Sequence, residues 1–279
     1  MNNEKQYEAF IYNWLKSLYT EIDFWVHYCK THGGGWCTYE HFEKYFIKGE
    51  KREFVYPHLL EGKTEVDILD VGSAMNSRSG NYTENCKINY KCCDPLAPAY
   101  AQICEQFNLN LYAKPDFSCG EHLSDMYSPE QFDIVLMTNA LDHVFFPMTV
   151  IREMLKVLKV GGTLYLLHNV NEAVREQYDG LHQWNIDQRG GHLAIWRQNQ
   201  TINVEKELAS YIEVINCQQV EGDEIASIPQ VRWEIVKKAN LPDVQEDIER
   251  KRAFNRAVLT HIMDFNSKAF RDMRSGQYV

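Results

Sequence analysis

Between Gln6 and Lys30, apolar and aromatic residues return at the spacing of one helix face (Phe10, Trp14, Leu18, Ile22, Trp25), and Gly33-Gly34-Gly35 ends the pattern. A second helical stretch is expected from about Tyr39 to Glu50. The pattern then changes. Val66-Asp67-Ile68-Leu69-Asp70-Val71 is short, apolar and β-rich, as a buried strand should be. Further strands are expected at Ile88 to Cys93, Asn110 to Ala113, Phe132 to Met137 and Thr163 to Leu167, with helices at about Ala97 to Phe107 and Met148 to Leu158. In the second of these helices positions 150, 151, 154, 155 and 158 form one apolar face, and Gly161-Gly162 is read as its stop.

Strands that alternate with helices require crossover connections. The expectation is therefore an α/β fold with a Rossmann-like, seven-stranded, mostly parallel sheet flanked by helices. From Leu167 to about Gln200 the chain reads as irregular. A helix near Val204 to Tyr211 and strands at Glu213 to Val220 and Val231 to Lys237 follow. A charged amphipathic helix, about Asp243 to Asp272, closes the chain, and its stripe of Ile248, Val258, Leu259, Ile262 and Phe265 suits core or homodimer packing. Three regions result: a helical N-terminal extension over 1–62 that could act as a lid, a core over 63–240 with an insertion at about 169–200, and a C-terminal helix over 241–279.

Composition narrows the class. The chain has 279 residues, 44% hydrophobic and 24% charged, an ordinary globular balance. No apolar run reaches the roughly 18 residues that a membrane span needs. Met1-Asn2-Asn3-Glu4-Lys5 lacks the basic-then-apolar pattern of a secretory signal, so a cytoplasmic protein with free thiols is expected. The eight cysteines include no C-x-x-C pair and no histidine at finger-like spacing, so no metal is expected. With a net charge of −10, a nucleic-acid partner has little electrostatic support.

The candidate chemistry gathers at strand ends. After Asp70 the chain turns through Gly72-Ser73-Ala74-Met75-Asn76-Ser77, a loop of small residues able to bring backbone N–H groups to a ligand. It carries only the first glycine of a G-x-G-x-x-G fingerprint. Asp94 ends the next strand, where an acidic side chain can accept hydrogen bonds from both ribose hydroxyls of an adenosine. A pyrophosphate favours a glycine-rich helix N-terminus, whereas S-adenosylmethionine has no phosphate and its ammonium and sulfonium tolerate acidic neighbours. Asp70 and the single glycine favour the second.

Here the sequence resembles the class I S-adenosylmethionine-dependent methyltransferases, in particular their small-molecule branch. Leu69-Asp70-Val71-Gly72-Ser73 is similar to the family's first motif and Cys93-Asp94-Pro95 to the end of its second strand. Phe132 to Val144, with Leu155-Lys156-Val157-Leu158-Lys159-Val160-Gly161-Gly162, is similar to its fourth-strand motif and glycine turn. Cys119-Gly120-Glu121-His122-Leu123 is the best match to its third motif. The resemblance covers about residues 66–168, and the first loop departs from it with Ala74 and Asn76 in place of further glycines.

The resemblance implies that Asp70, Gly72 and Ser73 line the methionine end of S-adenosyl-L-methionine, that Asp94 holds its ribose, that Pro95, Gly120 and Glu121 flank the adenine, and that Asn139 lies beside the sulfonium. The product would be S-adenosyl-L-homocysteine. His168, just after the fifth strand, and His143 are the candidate bases, since an imidazole can accept a proton from a hydroxyl or ammonium as the methyl moves. Arg78, His182, Trp184 and His192 are the candidate substrate residues, the last three within a long connection of the kind that carries function. Gly191 to Trp196 also resembles a segment of methyltransferases in polysaccharide and related biosynthetic pathways. The expected substrate is small or carrier-linked and polar, with sugars and phosphorylated compounds among the candidates. Two alternatives stay open: an NAD-dependent oxidoreductase, and a catalytically inactive partner subunit that keeps the fold.

Overall fold

The computed structural model describes residues 3–222, 228–245, 248–249 and 251. Helix α1 (Asn3–Lys30) is followed by α2 (Tyr39–Phe42), which runs on into a π-helical turn, Glu43–Ile47. The core then alternates as β1 (Glu65–Val71), β2 (Lys87–Asp94), α3 (Ala97–Phe107), β3 (Asp116–Phe117), α4 (Leu123–Met126), β4 (Phe132–Thr138), α5 (Pro147–Val157) and β5 (Leu158–Asn169). After α6 (Glu172–Arg175) come β6 (Asn185–Arg189), β7 (His192–Arg197) and β8 (Gln200–Asn203). The described core ends with α7 (Val204–Leu208), β9 (Ile212–Val220) and β10 (Gln230–Lys237).

Seven strands form one sheet in the order β3-β2-β1-β4-β5-β10-β9, parallel from β3 to β5 and antiparallel at β10. The order reverses between β1 and β4. In open α/β sheets the crevice outside the carboxyl ends at that point is where ligands bind. β1 and β4 are buried on both faces at Ile68-Leu69 and Ile134 to Met137, which explains the apolar residues at consecutive positions there.

On one face α5 places Val150, Ile151, Met154 and Leu155 against Leu164 and Leu166. On the other, Phe54, Leu59 and Leu60 pack with Ile68, Ile134 and Tyr165, while α1 contributes Trp14, Leu18 and Ile22 to a separate cluster with Tyr100 and Ile103 of α3. Residues 72–86, between β1 and β2, contain no helix. Met75 from that loop joins the cluster of α1 and α3 instead.

Three expectations need correction. Asn110 to Ala113 is not a strand, and pairing with β2 falls to Asp116 and Phe117. Residues 110–112 fasten other segments: Asn110 N–H donates to Phe46 O (2.7 Å), and Asn81 Nδ2 donates to Tyr112 O (3.3 Å). The glycines at 161 and 162 do not precede the fifth strand but lie inside it, as a bulge between the pairs Phe132–Leu158 and Ile134–Thr163.

The stretch to Gln200 is not irregular throughout, since β6, β7 and β8 form an antiparallel meander turned at Gly190-Gly191. Its Ile186, Leu193, Ile195 and Ile202 belong to the main core. Of the C-terminal helix, residues 252–279 lie outside the described residues, and with them Val258, Leu259, Ile262 and Phe265.

Candidate active site

Asp70, at the carboxyl end of β1, is 3% exposed, and a carboxylate so placed needs partners. Its Oδ2 accepts from Ser77 Oγ (2.5 Å), Tyr90 OH (2.7 Å) and Ser79 Oγ (3.1 Å). The loop after β1 is thereby folded back onto its own strand. Burial pushes the Asp70 carboxyl up, and the three hydroxyl donors oppose the shift. Tyr112 OH donates to Ser77 O, pinning the loop from a second side.

The loop is also joined to β2, because Gly72 and Ser73 both donate their N–H groups to Cys93 O (2.9 and 3.2 Å). Gly72 has a φ of +68°, and a Cβ there would lie 2.6 Å from Ala140 Cβ. Only glycine lets β1 and β4 turn out this close together.

Asp94 closes β2 with both carboxylate oxygens held by backbone: Oδ2 accepts from Ala74 N–H (3.0 Å) and Oδ1 from Leu96 N–H (2.9 Å). Burial nevertheless pushes its pKa up to about 7, with help from the nearby charge of Glu21 on α1. Glu121 is likewise pushed up to about 7 by burial. Its Oε1 accepts from the N–H groups of Phe145 and Phe146 (2.9 and 3.3 Å), so it also orders the chain after β4. Asn139, at a φ of +48°, donates its N–H to Leu167 O (2.9 Å) and accepts from Asn169 N–H on Oδ1 (2.8 Å), clamping the ends of β4 and β5.

Beyond Asn139 a single helical turn, Leu141–His143, presents Asp142 and His143. The loop between α6 and β6 brings His182 to them: its Nδ1 lies 2.8 Å from Asp142 Oδ2 and 3.2 Å from His143 Nε2. Burial would raise Asp142, yet the imidazoles of His143 and His182 hold it below its usual value. Burial pulls His182 down, but the hydrogen bond and charge of Asp142 outweigh it and the net shift is upward. Helix α1 reaches the same place, where Trp14 Nε1 donates to His143 O (2.7 Å).

These groups surround one cavity of about 1020 Å³. Its wall includes Asp70, Gly72, Ser73, Asp94, Pro95, Gly120, Glu121 and Asn139 at the sheet, Trp14, Leu18, Glu21 and Trp25 from α1, and Arg52, Arg78 and Arg175. Residues 69–166 match the family described as a methyltransferase domain. The matched stretch runs from within β1 to within β5, about a third of the chain.

No curated protein matches the chain. Among solved structures, the chain is similar to the N-methyltransferase NodS from Bradyrhizobium japonicum WM9 in complex with S-adenosyl-L-homocysteine. The two share 14% identity over 66% of this chain and 83% of that one, with a TM-score of 0.43. It is similar also to a 1,6-didemethyltoxoflavin-N1-methyltransferase from Burkholderia thailandensis, at 16% identity over 66% and 75% of the two chains and a TM-score of 0.41.

All eight cofactor residues expected from the sequence lie on the wall of this cavity, with Arg78, His143 and His182. Three other expected residues do not. His168 is 1% exposed, on the face of β5 that carries Leu164 and Leu166, and is no part of the wall. Burial lowers its pKa to about 4. A base must reach the proton it takes, and His168 is sealed from the cavity.

Trp184 is a core residue whose Nε1 donates to Val144 O (3.0 Å). His192 faces outward on β7 and bonds Glu205. The residue the sequence reading passed over is Asp142. Its signal was an acidic residue beside a histidine just past a strand end, but its partner His182 lies 40 positions away.

Proposed function

We propose that the chain transfers a methyl group from S-adenosyl-L-methionine to an oxygen or nitrogen of a small or carrier-linked polar acceptor. The observation that carries this reading is the crevice itself: buried carboxylates at the ends of β1 and β2, with no helix N-terminus after β1 to receive a pyrophosphate. That absence also counts against the NAD-dependent alternative.

The residues present fit the cofactor. Asp94 borders the cavity with a carboxylate that retains acceptor capacity for ribose hydroxyls beyond its two backbone bonds, and acidic side chains suit an ammonium. Pro95, Gly120 and Glu121 are the adenine-side residues of this reading, and Gly72, Ser73 and Asn139 its methionine-side residues. When bound, S-adenosyl-L-methionine supplies an electrophilic methyl group.

The chain's own part is to position, exclude water and handle a proton. Asp70 holds the loop of residues 72–80 in shape through its three hydroxyl partners and so acts as a positioning residue. Helix α1 covers the cavity with Trp14, Leu18 and Trp25, the kind of cover that keeps water from a reacting pair. A methylated hydroxyl or ammonium must lose a proton, and Asp142, His143 and His182 stand together on the wall where that proton can be handled. Arg52, Arg78 and Arg175 support a polar, anionic acceptor.

Calorimetry tests the reading. S-adenosyl-L-homocysteine and S-adenosyl-L-methionine are expected to bind the full chain and NAD not to; binding of NAD alone would overturn it.

A further inference from the structure

We infer that Asp142, His143 and His182 form a binding site for one first-row divalent metal ion of the iron-to-zinc series, open towards the cavity. Asp142 Oδ2, His143 Nε2 and His182 Nδ1 make a triangle with edges of 2.8, 3.2 and 3.4 Å. Among the described residues these three atoms are close enough together to hold a metal ion. An ion with bonds of about 2.0–2.1 Å to all three would sit about 1 Å out of their plane. Its other positions then face away from the triangle. Two histidines and one carboxylate on one side of an ion is a donor set that suits divalent iron, cobalt and zinc and leaves coordination positions free.

Hydrogen bonding alone accounts poorly for the triangle. The two edges with hydrogen-bond geometry share His182 Nδ1, which is either a donor or an acceptor and so cannot donate to Asp142 Oδ2 and also accept from His143 Nε2. If His182 donates, its one N–H must serve both edges; if it accepts from His143, the 2.8 Å edge to Asp142 has no proton across it. A single cation uses a lone pair from all three atoms at once.

The backbone also builds the arrangement in advance of any ligand. Asp142 O accepts from Gln183 and Trp184 N–H (3.0 and 3.2 Å), so the segment carrying His182 hangs from the same residue that supplies the carboxylate. Trp14 Nε1 fixes the carbonyl of His143. Such supporting bonds hold metal ligands in place.

The site was invisible to a search for cysteine pairs and finger-like spacing, because its ligands come from a strand-end turn and a loop in the insertion. All three side chains line the cavity. On the methyl-transfer reading, an ion here would orient an oxygen of the acceptor and make a coordinated hydroxyl more acidic, its proton leaving to solvent. The existence of the site does not depend on that reading.

The experiment treats the full chain with a chelator, removes the chelator, and titrates Zn²⁺ by calorimetry and Co²⁺ by visible absorption. The expected result is one ion per chain, with Co²⁺ bands of low-symmetry coordination. His182→Ala and Asp142→Ala should each weaken binding by about a hundredfold or more, since loss of a ligand should exceed the 10–100-fold typical of supporting residues. Binding of S-adenosyl-L-homocysteine, measured on the same samples, reports whether each variant is folded. No uptake of either ion by wild type, or full uptake by the folded variants, would overturn the site. Intact metal uptake without binding of S-adenosyl-L-homocysteine would leave the site standing and overturn the cofactor reading instead.

Discussion

Replacing His168 with leucine should stabilise the protein and leave methyl transfer unchanged. The imidazole is 1% exposed, and neither ring nitrogen has a hydrogen-bond partner among the described residues. A buried polar group left without a partner costs about 1–3 kcal/mol, and leucine of similar volume matches its neighbours Leu164 and Leu166. At neutral pH the variant should therefore gain about 1–2 kcal/mol, or a few degrees in Tm.

The gain should grow in acid. The folded-state pKa of His168 is depressed to about 4, with burial lowering it, Asp142 raising it and His143 lowering it, so the unfolded chain binds its proton first. The contribution of neutral His168 is thus complete above the unfolded value near 6.5 and is lost as pH falls towards 4. Between pH 7.5 and 5 the loss is about 2 kcal/mol.

Asp94 and Glu121, each raised to about 7, act in the opposite sense, since stability due to a protonated carboxyl is lost as pH rises through 7. The wild-type curve alone mixes these effects. The difference between wild type and His168→Leu isolates one of them. Thermal unfolding of both proteins at pH 5 and 7.5 should show the gap in Tm widening by several degrees at the lower pH. A gap independent of pH would refute the electrostatic reasoning, and a large loss of activity in a folded variant would return His168 to the site.

Asp94→Asn should weaken binding of S-adenosyl-L-homocysteine by tenfold or more, through loss of a charged acceptor worth about 1.5–3 kcal/mol. Wild-type affinity should fall as pH drops below about 7, where the Asp94 carboxyl takes up a proton, and calorimetry across pH should find the variant flatter. Gly72→Ala forces a side chain into left-handed backbone and places it 2.6 Å from Ala140 Cβ. It should cost about 1–3 kcal/mol, read as a drop in Tm, with ligand affinity lost alongside. Trp14→Phe removes the bond to His143 O and should speed release of S-adenosyl-L-homocysteine in stopped-flow displacement while changing Tm little.

Much of the sheet was legible because its information is local. Ile68-Leu69 and Ile134 to Met137 put apolar residues on both faces of their strands, and only strands in the middle of a covered parallel sheet need that. This part of the cavity wall was legible for a related reason: Asp70, Gly72, Asp94 and Asn139 each lie at a strand end, so finding the strand finds the residue. Asn110 to Ala113 reads as a strand on its own terms, but its polar groups are taken by Phe46 and Asn81, contacts that no window of sequence contains.

The meander β6–β8 was obscured by strands too short to show a clear period and by the glycine pair at its turn. His168 was misjudged because position along the chain gives the end of a strand but not which side of the sheet a side chain takes near it. The grouping of Asp142, His143 and His182 is a product of the tertiary fold. A turn and a loop meet there, and nothing in the spacing of the three residues announces it.

The meander has a consequence for how the acceptor site can change. Trp184, Ile186, Leu193 and Ile195 are packed into the same apolar mass as Met148 and Leu166, so the insertion is part of the load-bearing interior and not an appendage. The loop ahead of it, which carries His182, sends only Leu181 into a buried cluster. Variation that retunes substrate choice should collect in residues 176–183, while changes in the strands behind them would be filtered first for folding. A library confined to that loop should keep most of its members folded, and one spread over the meander should not.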